Sequence, residues 1–329
     1  MKNEGVFRPS DLPIIDGKVY HLDLKPEELA RNIIIVGDPE RVPFIAEEYF
    51  SAKEVDRFHR GLRTITGFVK ETAQRVSIIT SGMGTPSLEI ILNEIVALNE
   101  IDFHKRTRKA EYGMVTIIRV GTSGGLQQDT ELGTLIITDY AVGLDNTGLF
   151  YDAPCCEENL KILEDRIREA IDGSIPNNSH FKGKIFPYAS KAHQDVVKEL
   201  EKEALRLGIK YKRGVTVSNS GFFANQGRAV SRVPLTVPEI DGVLSVVDTG
   251  IEGLKIENME MEASFLLHFM GALGYRAGVV CPVIDNRREG KFTAQYTRYI
   301  RDAAGIALNT LHTLRLEFKG ITCLIFPFH

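Results

Sequence analysis

Five short stretches carry residue types that could act on a charged, hydroxyl-bearing small molecule. In IENMEMEASFLLHFM, residues 256–270, two carboxylates bracket one methionine just before an apolar run that reads as a buried helix. Burying an unpaired carboxylate is costly, so Glu260 and Glu262 need partners or a task. If the segment is extended, a spacing of two puts both acids on one face, where they could accept hydrogen bonds from a diol such as a ribose. They could equally pair with basic side chains or cap the following helix.

The other stretches follow β-branched runs, where α/β sheets bind their ligands. Gly37-Asp38-Pro39-Glu40-Arg41 offers a glycine whose neighbouring amides can approach an anion, with an arginine in the next helical turn. Arg119-Val120-Gly121-Thr122-Ser123-Gly124-Gly125 supplies a guanidinium, hydroxyls and free amides in one turn, the ingredients of a phosphate cradle. In Ser218–Arg228 (SNSGFFANQGR), a planar heterocycle could stack on Phe222 while Gln226 and Arg228 read its edge. The alternative is a core phenylalanine pair beside a solvated arginine. Asp285-Asn286-Arg287-Arg288 ends the most apolar run, and Asp285 there could be a general acid, an orienter of Arg287 or an N-cap.

Positioning these groups requires strands and helices in alternation. Strands are expected at 32–36, 76–80, 114–120, 133–138, 214–219 and 277–284, and helices at 39–49, 87–99, 193–207 and 298–316. That order predicts an α/β sandwich around a central sheet. No linker composition or internal repeat divides the chain, so a single domain, 1–329, is expected. Three stretches read as irregular: 101–113, 145–156 and 233–253, the last being long enough to suggest function or mobility.

Composition narrows the classes. A net charge of −4 without basic runs argues against nucleic-acid binding. No apolar segment reaches the roughly 20 residues of a membrane span, and MKNEGVFRPSDLP lacks a signal-peptide core. Cys155, Cys156, Cys281 and Cys323 contain no C-x-x-C, so neither a zinc site nor an ordinary disulfide is indicated and a reduced, cytoplasmic setting is expected. The turn SGMGTPS at 81–87 begins like a dinucleotide fingerprint, but Ser87 and Pro86 break it, and no Walker pattern occurs.

Taken in order, GDPERV at 37–42, RVGTSGGLQ at 119–127, FFANQGR at 222–228 and NMEMEAS at 258–264 resemble the nucleoside phosphorylase superfamily of the hexameric/uridine type, most closely uridine phosphorylases. The resemblance runs from about residue 19 to 316. It implies a three-layer α/β/α sandwich with a mixed, partly barrel-like central sheet, and reversible phosphorolysis of uridine in pyrimidine salvage. Phosphate would be held by Gly37, Arg41, Arg119 and Thr122, with Arg60 reaching in from a neighbouring subunit. His21 would cross the same interface towards the ribose, which Glu262, Met261 and Glu260 would hold. Phe222, Gln226 and Arg228 would bind uracil. Arg287 would lie near the base on a closing loop, and Asp285 occupies the position of the catalytic acid of purine enzymes. Arg119, Arg228, Arg287 and Asp285 are therefore the expected catalytic set.

No metal and no cofactor are expected, phosphate being a co-substrate. A monovalent cation between subunits is doubtful, because Gly61 stands where bacterial uridine phosphorylases often carry a glutamate. The expected partners are uridine, phosphate and further copies of the chain (a dimer, or a trimer of dimers, sharing active sites), with neither nucleic acid nor membrane. The rival readings are a purine nucleoside phosphorylase or nucleosidase of the same fold, or a non-catalytic nucleoside-binding protein. The apolar tail at 319–329 has subunit contact as one candidate role.

Overall fold

Uninterrupted β-branched runs fold here as strands covered on both faces. The computed structural model describes residues 5–153 and 157–317; Cys155, Cys156, Cys323 and the tail at 319–329 lie outside these. The strands of the main sheet are β1 (Asn32–Val36), β2 (Phe50–His59), β3 (Leu62–Val69), β4 (Arg75–Thr80), β5 (Thr116–Val120), β6 (Ser123–Gly125), β7 (Leu135–Gly143), β8 (Tyr188–Lys191), β9 (Tyr211–Ser218), β10 (Ile256–Glu260), β11 (Arg276–Asn286) and β12 (Lys291–Phe292). The α-helices are α1 (Arg41–Tyr49), α2 (Thr85–Glu100), α3 (Glu158–Ser174), α4 (Gln194–Arg206), α5 (Ile240–Ser245), α6 (Ala263–Ala272) and α7 (Thr297–Glu317).

The strands run in the order β8-β7-β9-β10-β6-β11-β5-β1-β4-β3-β2, with β12 added to β11. β11, β5, β1 and β4 are mutually parallel. β7 pairs a second time, antiparallel to β11, and so closes β7, β9, β10, β6 and β11 into a ring. The expected α/β class with a mixed, partly barrel-like sheet is therefore what the chain adopts. α4 and α7 pack on each other and on β11, while α6 packs on α2 and on β7, β9 and β11. A main core of Ile, Leu and Val fills the space between sheet and helices, and a smaller one joins α3 and α5 to the ring.

The irregular stretches hold more structure than expected. Within 101–113, Ile101–Asp102 pairs with Thr107–Arg108 as a small hairpin, and Arg108 ion-pairs with Glu100. Within 233–253, α5 buries Ile240 and Leu244 against the smaller core. Within 145–156, a single 3-10 turn spans Gly148–Phe150. The β2–β3 hairpin went unexpected because β2 is an exposed edge whose charges interrupt apolar alternation. α3 was also missed, although Leu163, Ile167 and Ile171 lie buried at helical spacing.

Candidate active site

Four strand ends, with the segments that follow them, and the loop after β9 enclose a cavity of about 390 Å³. β1 delivers Gly37 and, as the first residue of α1, Arg41. β5 delivers Arg119 and Thr122. β10 delivers Glu260, with Met261 and Glu262 between it and α6. The loop after β9 supplies Phe222 and Gln226, and β11 supplies Asp285.

Arg119 organises the inner end. It is 4 % exposed; its Nε donates to Glu260 Oε2 at 3.0 Å and its Nη2 to Glu262. Its Nη1 is buried with no partner among the described residues, a donor left over once both carboxylates are satisfied. Burial opposes the guanidinium charge, but Glu262 and Glu260 more than reverse this and hold its pKa above the usual value.

The two carboxylates, however, do different things. Glu260 accepts from the Ser218 hydroxyl, from the Glu262 and Ala263 amides, and from Arg119. It thus ties the start of α6 to β10 and pairs with a base, while still lining the cavity beside Met261 and Glu262. Glu262 accepts from Arg119 and from the Gly84 amide, the latter at 2.6 Å. Burial raises its pKa to about 7, with Arg119 opposing and Glu260 adding to the rise. Met261 lines the cavity beside it.

Gly37, Arg41 and Thr122 line the cavity near Arg119. The Arg41 guanidinium lies 5.4 Å from the Tyr296 ring centroid, and its Nε is buried without a partner among the described residues. Two arginines that line the cavity thus each keep one nitrogen without a partner among the described residues.

At the outer end, Arg228 sits 4.0 Å from the Phe222 ring centroid and donates to the Phe222 carbonyl, to Gln226 Oε1 and, at 2.9 Å, to Asp285 Oδ2. Neither the core pair nor the solvated arginine describes this stretch: Phe222 is half exposed and Arg228 is tied down. Asp285 orients Arg228, not Arg287, and caps no helix. Burial pushes its pKa up against the opposing charges of Arg228 and Arg287. Arg287 lies outside this cavity. It borders an adjoining one of about 350 Å³, donates to the Gln226 and Gly227 carbonyls, and pairs with Asp241 at 3.4 Å.

His21 and Arg60 line neither cavity. They meet each other around Tyr20: the ring of His21 packs edge-on at 4.9 Å, and the Arg60 guanidinium lies 5.2 Å from the Tyr20 centroid. His21 Nδ1 is 2.7 Å from Glu94, which also accepts the His21 and Leu22 amides. Arg60 and Gly61 form the β2–β3 turn with φ of 52° and 79°.

Residues 31–312 match the model of the phosphorylase superfamily. The chain belongs to that superfamily. A uridine phosphorylase of Thermococcus kodakarensis is 31 % identical over 282 residues, 84 % of this chain and 80 % of the relative. A purine nucleoside phosphorylase of Brevibacillus brevis is 30 % identical over 208 residues, 59 % of this chain and 81 % of the relative. Among solved structures, a Trypanosoma brucei nucleoside phosphorylase described as showing uridine phosphorylase activity superposes with a TM-score of 0.82 at 31 % identity, covering 92 % of this chain and all of that one. This chain is a phosphorylase enzyme.

In this phosphorylase, two contributors escaped sequence reasoning. Gly84 looked like a fragment of a failed dinucleotide motif, yet with φ of 87° it turns its amide onto Glu262. Ser218 bridges Glu260 and the Ser264 amide, so its hydroxyl ties β9 to the start of α6. A signal existed for Ser218, which immediately precedes the Phe-Phe loop; none existed for Gly84. Among the described residues, no helix is long and apolar enough to cross a membrane.

Proposed function

We propose that this phosphorylase cleaves uridine with phosphate, giving uracil and ribose 1-phosphate. The observation that carries the reading is the cavity's polarity: Arg41 and Arg119, each with a nitrogen that has no partner among the described residues, the Glu262 carboxylate, and Gln226 and Asp285, which Arg228 links from the adjoining space. Phosphate carries about −1.5 to −2 charge near neutral pH. Arg41, Arg119 and the amides after Gly37 offset that charge, each charge-assisted bond contributing on the order of 1.5–3 kcal/mol.

Glu262 accepts from the ribose hydroxyls while Met261 packs against the sugar. A phosphate oxygen attacks C1′ as the bond from C1′ to the base nitrogen breaks, and the bond pair leaves with uracil. Gln226 and Arg228 donate to the anionic base as its charge develops, so their contribution grows in the transition state. Asp285 holds Arg228 in place for this. Clamping both reactants supplies the proximity term.

His21 and Arg60 act in a homo-oligomer, completing the ribose and phosphate sites of a neighbouring copy, since in their own protomer they stand apart from the cavity. Arg60→Ala is expected to raise the phosphate KM strongly without altering the oligomer on gel filtration; unchanged phosphate affinity removes the interface role. A purine substrate is the second reading, favoured by the burial that raises the Asp285 pKa. The ion pair to Arg228 works against Asp285 serving as an acid.

The deciding experiment is chromatography of uridine and inosine incubated with the enzyme, with and without phosphate. Phosphate-dependent release of uracil is the expected result. Preference for inosine transfers the activity to purines, and cleavage without phosphate makes the enzyme a nucleosidase.

A further inference from the structure

A second cavity, of about 490 Å³, lies at the opposite end of the central strands. Asn32 and Arg276, the first residues of β1 and β11, both pair with Thr116 at the start of β5, and all three line it. At about 3.3 Å per strand residue, it stands roughly 15 Å from the catalytic cavity. Arg276 is 4 % exposed; Arg31, just before β1, Arg75 of β4 and Arg315 of α7 join it. No carboxylate occurs among the described side chains that line this space.

The four arginines are not equivalent. Arg75 is engaged by Glu54 at 2.5 Å and by the Leu29 and Glu27 carbonyls. Arg31 and Arg315 are exposed and make no ion pair among the described residues. Nearby, the Lys109 pKa is lowered first by burial and then by the charge of Arg31. Arg276 is itself engaged, reaching the Leu314 carbonyl, so the charges left for a ligand are those of Arg31 and Arg315. Two like charges at a concavity with no carboxylate among its described lining side chains create a local positive potential that favours an anion.

We propose that this cavity binds a small polyphosphate anion, the di- or triphosphate group of a nucleotide, distinct from the substrate phosphate site. Planar guanidinium forks match phosphate oxygens in pairs. Arginines arriving from the entrance of β1 and from α7 suit an anion with several charged groups. Leu29, Met114 and Leu314 give the attached organic group an apolar wall. The volume falls in the ordinary range for small-ligand sites.

Calorimetric titration of the full chain with inorganic tripolyphosphate and with ATP tests this, run in saturating orthophosphate so that the catalytic anion site is filled. Saturable binding of both probes, weakening with added salt, is expected. The double variant Arg31→Ala/Arg315→Ala should bind about tenfold more weakly or worse, with nucleoside cleavage and melting temperature unchanged. Binding that disappears when orthophosphate is present, or that is equally tight in the double variant, overturns the proposal. Should the double variant unfold, the single charge reversal Arg315→Glu applies the same criterion. Binding of tripolyphosphate without any gain for ATP keeps the anion site but removes the nucleotide as its source.

Discussion

At the inner end of the catalytic cavity, Arg119, Glu260 and Glu262 are almost wholly buried and hold one another, leaving a single guanidinium nitrogen without a protein partner among the described residues. At the outer end, Phe222 is 49 % exposed, Gln226 and Arg228 sit on the loop after β9, and Arg228 is held by the Phe222 carbonyl and by Asp285 at the end of β11. The inner end is a fixed frame whose geometry exists before substrate arrives. The outer end is a set of adjustable donors. A phosphorylase always uses the same anion, whatever its nucleoside, and that calls for such a division: rigidity where chemistry is constant, adaptability where recognition varies.

The sharpest way to break the comparison is Arg119→Met. Removing the only buried cation between two carboxylates should destabilise the fold by about 3–5 kcal/mol in urea denaturation, besides abolishing phosphate-dependent cleavage. A loss under about 1 kcal/mol would mean that the inner end is no frame. Glu262→Gln comes next. It keeps the shape and the Gly84 contact, so folding should persist while kcat/KM falls ~10²–10³-fold; unchanged turnover would remove Glu262 from ribose binding.

At the outer end, Arg228→Ala should raise the uridine KM about tenfold, with the phosphate KM and stability nearly untouched. Equal losses for both substrates would show that the ends are mechanically one unit. The smallest effect is on pH dependence. The Glu262 carboxyl titrates near 4.5 when unfolded and near 7 when folded, so between those values the folded state keeps a proton that the unfolded state has released. Its contribution to stability is therefore full below the lower value and is lost as pH rises through the upper one. Thermal melts from pH 4 to 8 should show that decline, and Glu262→Gln should lack it.

What the sequence revealed and what it hid also divides along chemical lines. The anion turns at Gly37–Arg41 and Arg119–Gly125 were legible because a β-branched run ending in glycine and arginine announces both the strand and its cradle. The Glu260–Glu262 pair was legible as a site but not in its division of labour. That depends on Ser218 and on the Ala263 amide, which spacing along one strand cannot specify. The link from Arg228 to Asp285 joins residues 57 positions apart and required the closed ring to bring β9 and β11 into reach. Helix α3 was written plainly at residues 163, 167 and 171, while edge strand β2 was masked by its charges.

The second pairing of β7 has a further bearing, on how this protein would fail. β7 is buried along its whole length, LIITDYAVG, and meets β11 through only three residue pairs, Leu135–Pro282, Ile136–Cys281 and Ile137–Val280. The outer edge β2 carries exposed Lys53, Glu54 and Asp56, charges that discourage a second chain from adding to it. A molecule that opens at the β7–β11 seam instead presents the apolar run Leu135-Ile136-Ile137, which carries no charge, to its neighbours. Heat-induced aggregation should start at that seam, which makes it the place to add covalent or packing reinforcement when a longer-lived enzyme is wanted.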